Sequence, residues 1–484
     1  MSFKLRKLMA TALTSSALMG GDAMADANLD LVQALVGKGV LTEEEGALLT
    51  RGRAEEMGVQ KKKESKFSTN SVKLRGYVQV RNTTMLGGDE GVNLWSDRSV
   101  GDDKSLGDAD KNFLIRRARL VIYGDYGDHL SYYIQPDFAS SVGGTTNSNA
   151  SGAGNFAQLR DAYGDLYFDK TRVHRIRLGQ SKIPFGFENL QSSQNRLALD
   201  RNDALNSAVR DERDLGAFYY YTPETTQALF EEIGKLGLKH TGNYGQFGIG
   251  AYNGQGANAR DQNDNYHVVA RYTHPWKTES GQIYEAGIQA YKGQYVSTTG
   301  DYSRRSATGT LATARPTLGS GSPLSGRNGI DDERVGISFM MYPQPFGLQA
   351  EWNWGNTPGL DLASNTIEKK SLNGGYIQAM YKIDNVKFFD TNGTVIPFIK
   401  YQYFDGYNKA ETNSPKNEVH DWEMGVEWQI APEVEIAAVY HRMNRTNLVT
   451  GNRPSRSASN NLPAREDYEN FSADALRIQV QYNY

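Results

Sequence analysis

A chain of 484 residues without a single cysteine excludes disulfide scaffolds, thiolate metal sites and cysteine nucleophiles together. A hydrophobic share of 38% and a mean hydropathy of −0.60 exclude a bundle of membrane helices, each needing about 20 consecutive apolar residues. The formal charge of −3 gives no global attraction for nucleic acid, and 50 Gly with 28 Tyr point to turn-rich β-structure, in water or in lipid.

The first residues specify export. Lys4, Arg6 and Lys7 precede an uncharged stretch from Leu8 to Gly21, and Ala23-Met24-Ala25 places small residues at both cleavage subsites. This predicts a signal peptide over residues 1–25, cleaved after Ala25. The mature chain then holds 50 Lys and Arg against 55 Asp and Glu, a charge of −5. Residues 26–71 predict a short periplasmic helical segment and linker. Leu29, Val32, Leu35 and Val36 recur at helical spacing, and Thr42 with Glu45 forms a capping box ahead of Leu48 and Leu49. Two amphipathic helices on a polar linker are the plain reading; an oligomerisation or cell-wall-facing element is the sharper one.

From Val72 the period becomes two. Leu476, Ile478, Val480, Tyr482 and Tyr484 alternate with Arg477, Gln479, Gln481 and Asn483. Trp422, Met424, Val426 and Trp428 oppose Asp421, Glu423, Glu427 and Gln429, while Trp352 and Trp354 oppose Glu351 and Asn353. Ile288 opposes Glu285 and Gln289, and Ile337 with Phe339 opposes Arg334, Ser338 and Tyr342. Glutamates in strand centres are foreign to a dry sandwich core. They are natural where one face meets water and the other lipid.

The connections agree. Short turns at 126–128, 169–171, 342–345 and 431–433 alternate with long polar linkers at 84–112, 139–156, 182–213, 295–332, 356–371, 406–418 and 445–472. Residues 72–484 therefore predict an all-β, transmembrane antiparallel β-barrel of 16 strands. The strand centres fall near 77, 119, 134, 163, 177, 218, 250, 269, 288, 338, 351, 378, 400, 425, 438 and 479. Residues 223–245 allow a bent strand, a periplasmic helix or an extra hairpin, so 18 strands is the fallback. Either circumference leaves room for an aqueous channel.

Three stretches carry a resemblance. Phe113-Leu114-Ile115-Arg116-Arg117-Ala118-Arg119-Leu120, then Leu159-Arg160-Asp161-Ala162-Tyr163, then Arg177-Leu178-Gly179-Gln180-Ser181-Lys182-Ile183-Pro184-Phe185-Gly186-Phe187-Glu188-Asn189-Leu190 resemble successive motifs of the phosphate-selective porin O and P family. The preface LVQALVGKGVLTEEEGALL is similar to that of many members, and the final Tyr484 resembles the terminal aromatic of outer-membrane barrels, where Phe is usual. The resemblance implies a 16-stranded, homotrimeric channel in the outer membrane of a Gram-negative bacterium, passing phosphate or other anions. It also implies an inward-folded third loop, corresponding here to 182–213.

That segment is a long connection, punctuated by Pro184 and Gly186 and carrying Lys182, Arg196, Arg201, Arg210 and Arg213. On the strands, the phase that turns Ala118 and Leu120 outward turns Arg117 and Arg119 inward. The same phasing places Lys73, Arg75, Arg81, Arg175, Arg177, Arg271 and Arg334 in the lumen. Arg75, Arg117, Arg119, Arg175, Arg177, Lys182, Arg271 and Arg334 are thus the candidate channel-lining, anion-binding residues. A planar guanidinium binds oxyanions bidentately and stays charged, and conduction needs several weak sites. The expected partners are small phosphate-like anions and outer-membrane lipid, with no nucleic acid and no cofactor.

Two alternatives stand beside this. Arg and Lys are ordinary lumen residues, and Asp161, Asp165, Glu285, Glu351, Glu423 and Glu427 share the predicted lumen, which describes a non-selective general porin. An enzyme or an adhesion platform belongs to another class. None of the seven histidines is followed by Glu, and no nucleophile elbow or phosphate loop occurs. His420-Asp421 is the one pair that imitates a barrel hydrolase, and loops 295–332 and 445–472 are the segments an adhesion platform would use.

Overall fold

The structure, a computed structural model, describes residues 35–38, 42–43, 72–89, 92, 111–139, 157–305, 311–319, 329–448 and 468–484. The chain divides into two units, residues 1–71 and 72–484. In the first, residues 35–37 are helical and Glu43 is helical. The signal peptide, its cleavage point after Ala25 and the remainder of the helical segment lie outside the described residues.

The second unit is a closed antiparallel barrel of sixteen strands. They are β1 (Lys73–Gly88), β2 (Lys111–Tyr126), β3 (Leu130–Asp137), β4 (Gln158–Tyr167), β5 (His174–Lys182), β6 (Arg213–Tyr221), β7 (Phe247–Tyr252) and β8 (His267–Lys277). The second half comprises β9 (Ile283–Tyr295), β10 (Ile330–Met341), β11 (Phe346–Asp361), β12 (Thr366–Tyr381), β13 (Thr391–Tyr407), β14 (Lys416–Ala431), β15 (Val434–Leu448) and β16 (Tyr468–Asn483). Every predicted strand centre falls within its strand. Closure joins β1 to β16, with Tyr77 opposite Asn483. Gly76 and Tyr484 exchange backbone hydrogen bonds of 2.7 and 3.0 Å at this seam, so no edge is left open. Two short strands, Thr317–Leu318 and Ile383–Phe388, join the sheet without adding to the barrel wall.

Alternation decides what faces outward. On β14, Asp421, Glu423 and Glu427 are buried, whereas Trp422, Met424 and Val426 between them are exposed. The pattern repeats with Glu285 against Ile288 on β9 and with Arg477 and Gln479 against Ile478 on β16. An outer face of exposed Leu, Ile, Val and Trp is suited to lipid.

One local reading is corrected, and one choice left open by the sequence is decided. Residues 356–371 are mostly ladder: β11 and β12 run on in register to Asp361 opposite Thr366. The turn between them is tight because Asp361 accepts the Ser364 N–H at 2.9 Å and Asn365 takes a positive φ of 54°. Gly355, Gly359 and Pro358 imitated turn punctuation there. Residues 223–245 resolve as a helix, Glu224–Lys235, followed by an irregular segment, and not as strand. Thr226, Phe230 and Ile233 form its buried face.

Nor is the interior uniformly wet. Phe230, Ile233 and Leu238 cluster with Phe187, Leu197 and Leu199 and with the inward side chains of Met340, Met380, Phe398 and Val439. One part of the barrel's inner wall is thus apolar and covered by chain that folds inward.

Candidate functional site

The connection between β5 and β6, residues 183–212, enters the barrel instead of crossing its rim. After Lys182 the chain turns through Pro184 and Gly186, whose φ of 83° suits glycine. Phe185 then packs edge-on against Tyr291, with centroids 4.9 Å apart. Glu351 on β11 accepts the backbone N–H groups of Phe187 at 2.5 Å and Glu188 at 2.7 Å. A carboxylate thereby satisfies two of the open donors of the short helical turn Phe187–Leu190.

Further along, acids of the loop are held by cations of distant strands. Glu188 meets Lys400 on β13 at 2.6 Å, and Asp203 meets Arg445 on β15 at 2.6 Å. Asp200 meets Arg81 on β1 at 2.9 Å and pairs with Arg477 on β16. At the loop's end, burial would raise the Glu212 pKa, but Arg201 and Arg213 outweigh it and hold the carboxyl well below its usual range. The loop spans the lumen from the β5–β6 wall to the wall opposite.

The eight predicted residues fall into three groups. Four adjoin the loop. Arg117 donates to Gln79 at 2.8 Å and lies 4.0 Å from Asp200. Arg119 is bound to Asp137 at 2.7 Å, Tyr77 at 2.9 Å and Ser193 at 3.1 Å. Lys182 donates to the carbonyls of Leu190 and Gln191 at 3.0 and 2.7 Å, and Arg334 to those of Ala204 and Ser207 at 2.7 and 3.1 Å. Three others, Arg175, Arg177 and Arg271, face the segment that follows the helix Glu224–Lys235. Arg177 forms a bidentate pair with Asp165, 2.7 and 2.8 Å. Arg75 shares the inward phase but lies exposed at the end of β1, 3.5 Å from the Tyr133 hydroxyl.

Phasing alone missed several participants. A bulge on β2 sets Gln79 opposite Arg117 and Val80 opposite Ile115. Arg116 is the extra residue, and it turns toward Asp200 at 3.4 Å. Lys400 and Arg445 hold the loop but were not predicted as site residues, although their strand phase was readable. The His420-Asp421 pair is split between faces: Asp421 points inward to Arg445, and His420 outward to Tyr401 at 3.0 Å.

One guanidinium stands apart. Arg196, in the middle of the loop, is 5% exposed, and none of its three nitrogens has a hydrogen-bond partner among the described residues. It acts as a like charge on Arg117, Lys182 and Arg201, and Glu188, Glu212 and Asp200 are close enough to act on it as opposite charges. Lys182 likewise has only carbonyl acceptors among the described residues. Among the described residues, the buried ionisable groups number seventeen Lys and Arg against fourteen Asp and Glu, an excess of cations opposite in sign to the charge of the whole chain. An anion placed beside Arg196 would find unfilled donors in a low-dielectric surround, where such bonds are strong.

Residues 91–484 match the family model described as phosphate-selective porin O and P. No curated protein matches the chain. Among solved structures it is similar to the Salmonella typhi OmpF complex with daunomycin, at 11% identity over 85% of this chain and 97% of that one, TM-score 0.47. It is also similar to the anion-selective porin from Comamonas acidovorans, at 12% identity over 86% and 99%, TM-score 0.42. OmpT of Vibrio cholerae gives 11% identity over 85% and 97%, TM-score 0.45.

Proposed function

The chain belongs to the phosphate-selective porin O and P family, a family of outer-membrane channels, and from that premise we propose that it carries small oxyanions such as phosphate by passive diffusion. The observation that carries the reading is Arg196, a buried guanidinium at the narrowing loop whose donors find no hydrogen-bond acceptor among the described residues. Arg117 and Lys182 beside it hold neutral acceptors at hydrogen-bond distance. An oxyanion offers these groups charge-assisted bonds that a carbonyl or amide does not. Arg119, Arg175, Arg177 and Arg271 are already paired with acids and contribute field more than ligation; Arg334 has backbone carbonyls as acceptors, and Arg75 lies exposed at the start of β1, at the end of the barrel that carries the short turns.

The same reading makes residues 1–25 a removed signal peptide, residues 26–71 a periplasmic segment and the assembled channel a homotrimer, which heat-modifiable migration on a gel would report. The second reading, a non-selective porin, is favoured by the extent of acid–base pairing inside the barrel.

Phosphate block of chloride current in planar bilayers separates the two. Added phosphate reduces the chloride current through an oxyanion channel, and that block weakens when Arg196 is replaced by Gln. Current indifferent to phosphate would leave only the general porin.

A further inference from the structure

The connection between β6 and β7 is out of scale with its neighbours. At the same end of the barrel, β2–β3, β10–β11 and β14–β15 are joined by residues 127–129, 342–345 and 432–433, but β6–β7 by residues 222–246. After the helix Glu224–Lys235 the chain folds inward. Leu238 enters the apolar cluster with Phe187 and Leu197 of the long loop, and the Lys239 carbonyl accepts Gln191 of that loop at 2.7 Å.

The anchors of this segment lie on opposite walls. Lys239 reaches Glu427 on β14 at 2.6 Å and Glu435 on β15 at 3.6 Å. A few residues later the Asn243 carbonyl accepts Arg175 on β5 at 2.5 Å, and the Gly245 carbonyl accepts Arg271 on β8 at 3.2 Å. In a closed ring of sixteen strands, β14–β15 and β5–β8 face each other, so residues 239–245 cross the lumen. Positive φ at Gly242 (91°) and Gly245 (78°) provides the bends. Beside the crossing lies a cavity of about 340 Å³ lined by Asn195, Lys239, His240, Thr394, Gln429 and Glu435.

We propose that residues 236–246 form a strut across the periplasmic mouth, a second constriction in series with the long loop, which filters solutes by size and not by charge. Its one lysine is matched by two glutamates, so the strut adds no cationic site of its own. Sign preference then belongs to the loop around Arg196, and the size limit to the passage beside the strut. The inference rests on the porin reading above.

The test replaces residues 237–245 with a short Gly-Ser link in the full chain. Single-channel current and sugar uptake into proteoliposomes are then compared with wild type. Conductance is expected to rise about twofold or more, since two narrow sections in series have become one. Larger sugars should enter, and the sign of the zero-current potential in a salt gradient should stay unchanged. Unchanged conductance and size limit would overturn the proposal, and so would a reversal of ion preference, which would make the strut a charge filter. If wild type itself passes no current, the porin reading falls first. Should the replacement fail to fold, His240→Cys serves instead, in a chain with no other cysteine. A bulky thiol reagent there should reduce the current at least by half, and no change would overturn the strut.

Discussion

At the scale of single residues, what matters is which cations are already partnered. Arg119 is enclosed by Asp137, Tyr77 and Ser193, so Arg119→Gln strands a buried carboxylate and costs about 3–5 kcal/mol of stability, measurable as a lowered temperature of heat-modified migration. Arg196→Gln is expected to do the reverse: little loss of stability, because no hydrogen bond to a described residue is broken, but about a tenfold weaker phosphate block, the loss of one charge-assisted hydrogen bond. Phosphate titration of the chloride current checks it; an unchanged block with a normal fold would remove Arg196 from the site. Strand phase placed Arg117 and Arg119 inward from sequence alone. Pairing could not be read that way, because Asp200 finds Arg81 and Arg477 at separations of 119 and 277 residues, and only closure of the barrel brings them together.

At the scale of elements, the strands were legible because lipid and lumen impose opposite demands on alternate residues. The strand rule says less where that alternation lapses. The bulge at Arg116 breaks the phase, the β11–β12 ladder runs on through residues that imitate a turn, and the helix Glu224–Lys235 belongs to neither face of the wall. The inward course of 183–212 was anticipated from its length and family likeness, but its fastening was not. Glu351, expected only as a lumen-facing acid, proves to clamp the loop's first turn. Glu351→Gln should leave one buried N–H without an acceptor, a cost of about 1–3 kcal/mol. The loosened loop is expected to raise open-channel noise, seen in single-channel recordings; a trace as quiet as wild type would mean that Lys400 and Arg445 suffice. Lys400→Met strands Glu188 and Glu423 together and should be the more damaging change, lowering the yield of folded barrel on refolding gels.

At the scale of the whole molecule, a chain of negative net charge buries more cations than acids among its described residues. Sixteen strands would leave a wide opening, yet loop 183–212 and segment 236–246 occupy much of it and bring an apolar core inside the wall. The barrel class and strand count followed from alternation and turn spacing; the filled lumen did not, since inward apolar positions such as Met340 and Phe398 read from sequence simply as further strand residues. The zero-current potential across a potassium chloride gradient, recorded with the purified protein in a planar bilayer, tests the central claim most directly. A positively biased lumen predicts a potential of the sign set by chloride moving faster than potassium. A potential of the potassium sign, or a bilayer that stays sealed, would contradict it.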